Sequence, residues 1–154
     1  MAVCDHTSVG LVVYKGDSIL LIERNQFPFG FAAPAGHVDG DPDFETAARR
    51  ELQEETGLQA ETLEPLLEKR VENECKREDG TWHQWNIYRA TVSGETKPNE
   101  DEVKQLGWYS RDEIMELAGK TESLRAGNIS EEEWNANPGL EPVWYDFFKM
   151  LEII

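Results

Sequence analysis

The sequence predicts an α+β fold, a mixed sandwich of strands and a few helices. Three observations carry this. Strand-like runs flank one strongly marked helix, without the regular strand–helix alternation of a doubly wound sheet. The 154 residues suit one domain, 1–154, and a chain of this size buries roughly 68–70% of its unfolded surface. Hydrophobic residues make up 39% and aromatics 10%, so a core forms without disulfide staples.

The elements follow in order. Residues 8–14 are β-branched and apolar, Lys15-Gly16-Asp17-Ser18 is a turn, and 19–24 is a second strand, which together read as a buried hairpin. Residues 25–42 are punctuated by Pro28, Gly30, Pro34, Gly36, Gly40 and Pro42 and read as a long loop, a kind of segment that often carries function. Residues 43–56 form the clearest helix, with Asp43 (or Asp41) as N-cap and Gly57 as the terminating glycine. Phe44, Ala47, Ala48 and Leu52 line its apolar face. Residues 66–76 and 82–92 flank the Asp79-Gly80 turn signal and read as a second hairpin. A polar loop covers 93–101, a short strand runs through Leu106–Tyr109, and a helix spans about Arg111 to Ala118. Residues 119–141 read as loop with a short helix at 131–135. Residues 142–152 read as a terminal helix with Trp144, Phe147, Phe148 and Leu151 inward, so that 119–154 packs on the rest.

Charge narrows the partners. Fifteen basic residues against 31 acidic ones give a net charge of −16. That excludes a nucleic-acid duplex or an anionic membrane as main partner, since both need a basic footprint. A small phosphorylated substrate stays open, because a bound cation inverts the local field. The longest apolar runs are far short of a membrane span. No secretion signal is visible at the N-terminus. Cys4 and Cys75 form no CxxC pair, which points to a reducing compartment, a cytoplasmic location and no zinc module.

The chemistry concentrates in 36–58. Glu51, Glu54 and Glu55 stand three and four apart on one helix, where like charges repel by a few tenths of a kcal/mol per exposed pair. Arg50 stands four before Glu54 and can hold it. Such a cluster is either a solvated acidic face or a site for a hard divalent cation, which prefers carboxylate oxygens and shares its shell with phosphates.

The order of residues resembles the Nudix box: Gly, five residues, Glu, seven residues, then Arg-Glu-aliphatic-any-Glu-Glu-any-Gly-aliphatic. Gly36 fills the first place, and Arg50-Glu51-Leu52-Gln53-Glu54-Glu55-Thr56-Gly57-Leu58 fills the second half without a mismatch. The family's first Glu falls on Pro42, with Asp39 and Asp41 near but out of register. The resemblance implies an α/β/α sandwich around a mixed β-sheet. It also implies hydrolysis of a pyrophosphate bond in a nucleoside diphosphate derivative. Carried over, Gly36, Glu51, Glu54 and Glu55 are the metal ligands for Mg²⁺ or Mn²⁺, and Arg50 orients the glutamates. The general base is a box glutamate such as Glu54 or a later loop carboxylate, Glu100 or Glu102, with Glu102 just before its strand. Glu54, Arg50 and Glu102 are thus the catalytic candidates.

Other residues carry two readings each. His37 touches a phosphate or caps the loop. Phe27, Phe29 and Phe31 line a base pocket or anchor the core. Arg24 and Arg89 contact phosphate or are surface arginines. Arg24, Phe31 and His37 are the substrate-binding candidates. His83, on a strand, is expected to alternate outward. The subfamily markers expected for ADP-ribose (a proline) and dinucleoside polyphosphates (a tyrosine) are absent from Glu74-Cys75-Lys76. The substrate expectation is therefore a (deoxy)nucleoside triphosphate, with a nucleotide sugar as an alternative. A different class, a Nudix-fold module that binds nucleotide without turnover, rests on Pro42. The oligomeric expectation is a monomer or homodimer.

Overall fold

The computed structural model describes residues 2–154. The first hairpin is β1 (Thr7–Lys15) and β2 (Ser18–Arg24). The expected loop 25–42 contains two short strands, β3 (Phe31–Ala32) and β4 (Ala35–Gly36). Then come α1 (Phe44–Thr56), β5 (Gln59–Val71), β6 (His83–Ser93), β7 (Val103–Tyr109), α2 (Arg111–Arg125), α3 (Glu131–Ala136) and α4 (Pro142–Met150). The strands form a seven-stranded mixed sheet ordered β3-β2-β1-β6-β5, with β4 on β1 and β7 on β2. The β1–β6 pair is parallel and the others are antiparallel.

Successive side chains on a strand face opposite ways, and β1 uses both faces. Val9, Leu11 and Val13 pack with Ala47, Ala48 and Leu52 of α1. Val12 packs on the other side with Ile114 and Leu117 of α2 and Trp144, Phe147 and Phe148 of α4. Burial on both faces explains why β1 is apolar throughout rather than alternating. The result is the α/β/α sandwich around a mixed sheet. Gly10 lies on the α4 side, where any Cβ would collide with the Trp144 ring.

Beyond the two short strands, two elements and one side chain differ from the sequence reading. The helix expected to stop at Ala118 runs to Arg125, because Thr121 is buried and its hydroxyl donates to the Leu140 carbonyl at 2.7 Å. Its polar sequence hides a docking surface for the 137–141 segment. The second hairpin pairs 59–71 with 83–93, and Asp79-Gly80 does not join the strands directly. Instead Cys75 N–H donates to the Gly80 carbonyl (2.8 Å) and Cys4 N–H to the Glu78 carbonyl (2.8 Å), folding 72–82 into its own lobe against the N-terminal segment. His83 is 1% exposed rather than outward, because that lobe and residues 4–6 cover the start of β6. Pro65 is tolerated in β5 because β5 is an edge strand.

Among the described residues no helix is long and apolar enough to cross a membrane.

Phe148 is fully buried under α4, whereas Met150 is 45% exposed on the same helix. Phe148→Ala should therefore cost about 3–5 kcal/mol in urea unfolding, and Met150→Ala within about 0.5 kcal/mol.

Candidate functional site

The site is built on α1. Asp43, not Asp41, caps the helix by accepting from Thr46 N–H at 2.7 Å. Gly57 ends it at φ 78°, a conformation open to glycine, and its N–H returns to the Gln53 carbonyl. The next segment docks on this helix end: Lys97 N–H donates to the Thr56 carbonyl (2.6 Å) and Asn99 N–H to that of Glu55 (3.3 Å). Asn99 in turn accepts from Glu102 N–H, which sets Glu102 over the helix face.

Three carboxylates converge there. Oxygens of Glu51, Glu55 and Glu102 lie within 4.8 Å of one another. Glu55 accepts from Ala35 N–H at 2.8 Å, which ties α1 to β4. Gly36 is next to it, and any Cβ there would overlap the Glu51 carboxylate. The first place of the motif is thus glycine because a buried carboxylate lies against its backbone.

Arg50 holds the arrangement. Its guanidinium donates to Asp41 (2.7 Å), Glu51 (2.8 Å), Glu54 (3.2 Å) and the His37 carbonyl (2.9 Å). Asp41, one residue before Pro42, makes the contact that anchors this loop. Burial works against the Arg50 charge, but the hydrogen bond to Asp41 and the charge of Glu51 outweigh it and hold the pKa up. Burial pushes Glu51 up to about 7, against the pull of Arg50. Burial, then the Glu51 charge, raises Glu55 well above the carboxylate range. A cation beside the pair would favour their ionised forms and lower both again. A set of three carboxylates is the donor chemistry of Mg²⁺ or Mn²⁺, so the residues present fit that group.

Glu54 is the exception among the expected ligands. Side chains advance about 100° per residue, so Glu54 sits about 60° to one side of Glu51 and Glu55 about 40° to the other. Its side chain is 44% exposed and meets Arg50, not the converging trio. The third oxygen of this group comes from Glu102. The other loop carboxylates, Glu100 and Asp101, are exposed and outside this group.

A cavity opens beside the trio. It is lined by Gly36, His37, Glu51, Glu55 and Glu102 together with Arg24, Lys76 and Arg77, and Arg77 also pairs with Asp39. Arg24 donates to the Pro28 carbonyl at 2.7 Å, which orients it. Phe31 is a correction: it is 7% exposed, packs edge-on against Tyr109 at 5.6 Å, and belongs to the core because β3 pairs with β2. Phe27, 46% exposed, lines the cavity instead. Arg89 lies over the Tyr14 ring at 4.4 Å, away from the site.

Sequence reasoning missed Glu141, Lys76 and Arg77. Glu141 is buried 3.9 Å from Arg24, and burial pushes it up to about 7 against the arginine's charge. Its one signal was its place before Pro142 at the start of the terminal helix. Lys76 and Arg77 lay in what read as an ordinary hairpin.

A NUDIX domain model matches residues 5–128. The NAD-capped RNA hydrolase NudC of Pseudomonas aeruginosa is 28% identical over 119 residues, which is 77% of this chain and 41% of that protein. The match therefore spans 41% of the length of the curated relatives. Among solved structures, a MutT NUDIX hydrolase from Burkholderia pseudomallei is similar at TM-score 0.62 and 28% identity, over 70% of this chain and 84% of that one. A MutT protein from Methanosarcina mazei Go1 shares the fold at TM-score 0.66 and 18% identity, over 99% and 96%.

The raised carboxylates fix a pH dependence. Glu51 and Glu141 bind protons more tightly folded than unfolded, so their contribution to stability is full below about pH 4.5 and lost as pH rises to about 7. In chelator-treated protein, stability from these groups should fall across that window. Glu51→Gln and Glu141→Gln should each flatten the slope in thermal unfolding. An unchanged slope in both variants would contradict the burial argument.

Proposed function

The chain belongs to the Nudix family, and from that premise we propose that it hydrolyses a pyrophosphate bond in a nucleoside diphosphate derivative with a divalent cation. The observation that carries this is the pairing of Glu51, Glu55 and Glu102 with Arg24, Lys76 and Arg77 around one cavity. In a chain of net charge −16, three cationic side chains lining one cavity suit the oxygens of a polyphosphate.

Mg²⁺ or Mn²⁺ held by Glu51, Glu55 and Glu102 supplies charge neutralisation at phosphorus and acidifies water. The Gly36 carbonyl is the further ligand that the family resemblance suggests. The rest falls to the chain. Arg24, Lys76 and Arg77 hold the phosphates, and displacement at phosphorus is mostly such positioning and charge stabilisation. Glu102 is the general base in this reading, taking the proton of the attacking water on its carboxylate. Arg50 is a positioning residue: its four hydrogen bonds fix Glu51 and the loop carrying His37.

An apolar groove adjoins the cavity. Phe27, Phe29, Val71 and Trp134 line it, and it shares Phe27 and Glu141 with the first. Aromatic faces suit a nucleobase. Within the class we favour a (deoxy)nucleoside triphosphate, since Glu74, Cys75 and Lys76 stand on the wall where the other subfamily markers are expected. A pyrophosphate-linked dinucleotide is the second reading, and the similarity to NudC favours it. The contact of Asp41 with Arg50 weakens the case for a non-catalytic module, because the loop keeps a carboxylate anchor despite Pro42. Glu141 and Trp144 of the C-terminal part line the cavity, which supports treating 1–154 as one domain. The two free cysteines support a cytoplasmic setting.

Chromatography of products from a nucleotide panel with Mg²⁺, Mn²⁺ or EDTA tests this. Cleavage should need the cation and yield a nucleoside monophosphate. No cleavage by protein that still binds nucleotide would favour the binding module. Glu51→Gln and Glu55→Gln should each lower turnover at least about a hundredfold. Glu54→Gln should lower it less than either, because its carboxylate stands outside the trio.

A further inference from the structure

Four side chains that are scattered in the sequence meet beside the cavity, and three of them, His37, Cys75 and His83, line it. Cys4 precedes β1, His37 follows β4, Cys75 lies in the 72–82 lobe and His83 opens β6. One ligand atom from each lies within 4.8 Å of all the others. Cys4 Sγ is 3.3 Å from His83 Nε2 and 3.5 Å from His37 Nε2. In a tetrahedral zinc site, a sulfur at about 2.3 Å and a nitrogen at about 2.0–2.1 Å from the metal stand about 3.6 Å apart. Neither cysteine is in a disulfide.

The histidine tautomer is fixed from outside the cluster. Trp85 Nε1, a donor only, gives its hydrogen to Asn73 Oδ1 at 3.1 Å. That oxygen also lies 3.1 Å from His83 Nδ1, which must therefore be the protonated nitrogen. The lone pair is left on Nε2, the atom facing Cys4. A ligating histidine commonly has its other nitrogen held in this way. A bound metal would displace the thiol protons of Cys4 and Cys75, as coordination does.

The backbone is shaped around the sulfur. Any Cβ at Gly80 would collide with Cys75 Sγ, and Cys75 N–H closes the turn onto the Gly80 carbonyl. Along the chain no two of the four ligands stand at the spacing of a zinc module, so the expectation of no such module followed from spacing alone.

We propose that Cys4, His37, Cys75 and His83 form a structural site for one zinc-class divalent cation, separate from the carboxylate trio. Two thiolates and two imidazoles select a soft, tetrahedral metal, where Glu51, Glu55 and Glu102 select a hard one. The ion would pin the 72–82 lobe to the N-terminal segment and to the loop after β4. It would thereby fix the wall that carries Lys76 and Arg77.

The test is metal content of the full chain, expressed with zinc and dialysed, by plasma mass spectrometry. About one zinc per chain is expected. The double variant Glu51→Gln, Glu55→Gln should retain it, and Cys75→Ser should lose it. In case that variant fails to fold, chelator-stripped wild type reloaded with Co²⁺ gives an independent reading. It should show a thiolate-to-cobalt charge-transfer band and the strong visible bands of tetrahedral cobalt. Zinc below about a tenth of an equivalent together with colourless cobalt protein would overturn the proposal. So would zinc that disappears with the glutamate variant, or an intact mass showing a Cys4–Cys75 disulfide in place of metal.

Discussion

The structure depends on burying two like-charged carboxylates on one helix face. Glu51 and Glu55 are nearly out of water, against the backbone of Ala35 and Gly36. Removing paired anions from solvent is costly unless each finds hydrogen bonds or a cation. Each nearby feature answers that requirement. Arg50 spans four acceptors, Ala35 donates to Glu55, and Gly36 leaves room for the Glu51 head group. What Arg50 does not neutralise is left for a bound cation, and the residues most expensive to fold are the ones the proposed chemistry uses.

The scaffold explains how that cost is carried. The α1 helix is clamped to the sheet by Ala47, Ala48 and Leu52, which have no exposed surface. Its C-terminal carbonyls are taken by the 94–102 segment, which also sets Glu102. On the other face, Trp144, Phe147 and Phe148 form a second core under β1 and β6. The helix bearing the glutamates is thus held by apolar packing and hydrogen bonds that are independent of the charges it presents.

The cavity joins elements from the whole length of the chain. Glu51 and Glu55 reach it from α1, Glu102 from the segment before β7, Arg24 from β2, and Lys76 and Arg77 from the 72–82 lobe. Glu141 reaches it from the start of α4. Carboxylates and cationic side chains line the same space, and this suits a polyphosphate carrying its own cation. The Cys and His cluster lies at the root of the 72–82 lobe, so the proposed zinc and the proposed phosphate contacts concern the same loop.

The sequence by itself determined what local pattern can encode. The β1–β2 hairpin, α1 with its Asp43 cap and Gly57 stop, the terminal aromatic helix and the 36–58 motif were legible because each is set by residues a few positions apart. Glu51, Glu55 and Arg50 were identifiable as candidates for the same reason, and Glu102 through the family resemblance. Only the tertiary structure separated Glu54 from its neighbours, since helix spacing places all three on one side but not which faces β4. It moved Phe31 into the core and His83 inward, because strand partners and a covering lobe decide what a strand residue faces. It lengthened α2 through the buried Thr121 contact with Leu140. It also brought Cys4 within reach of His83 across 79 residues. No periodicity along a chain records a contact of that separation, because it is fixed by how the sheet and its loops close in space.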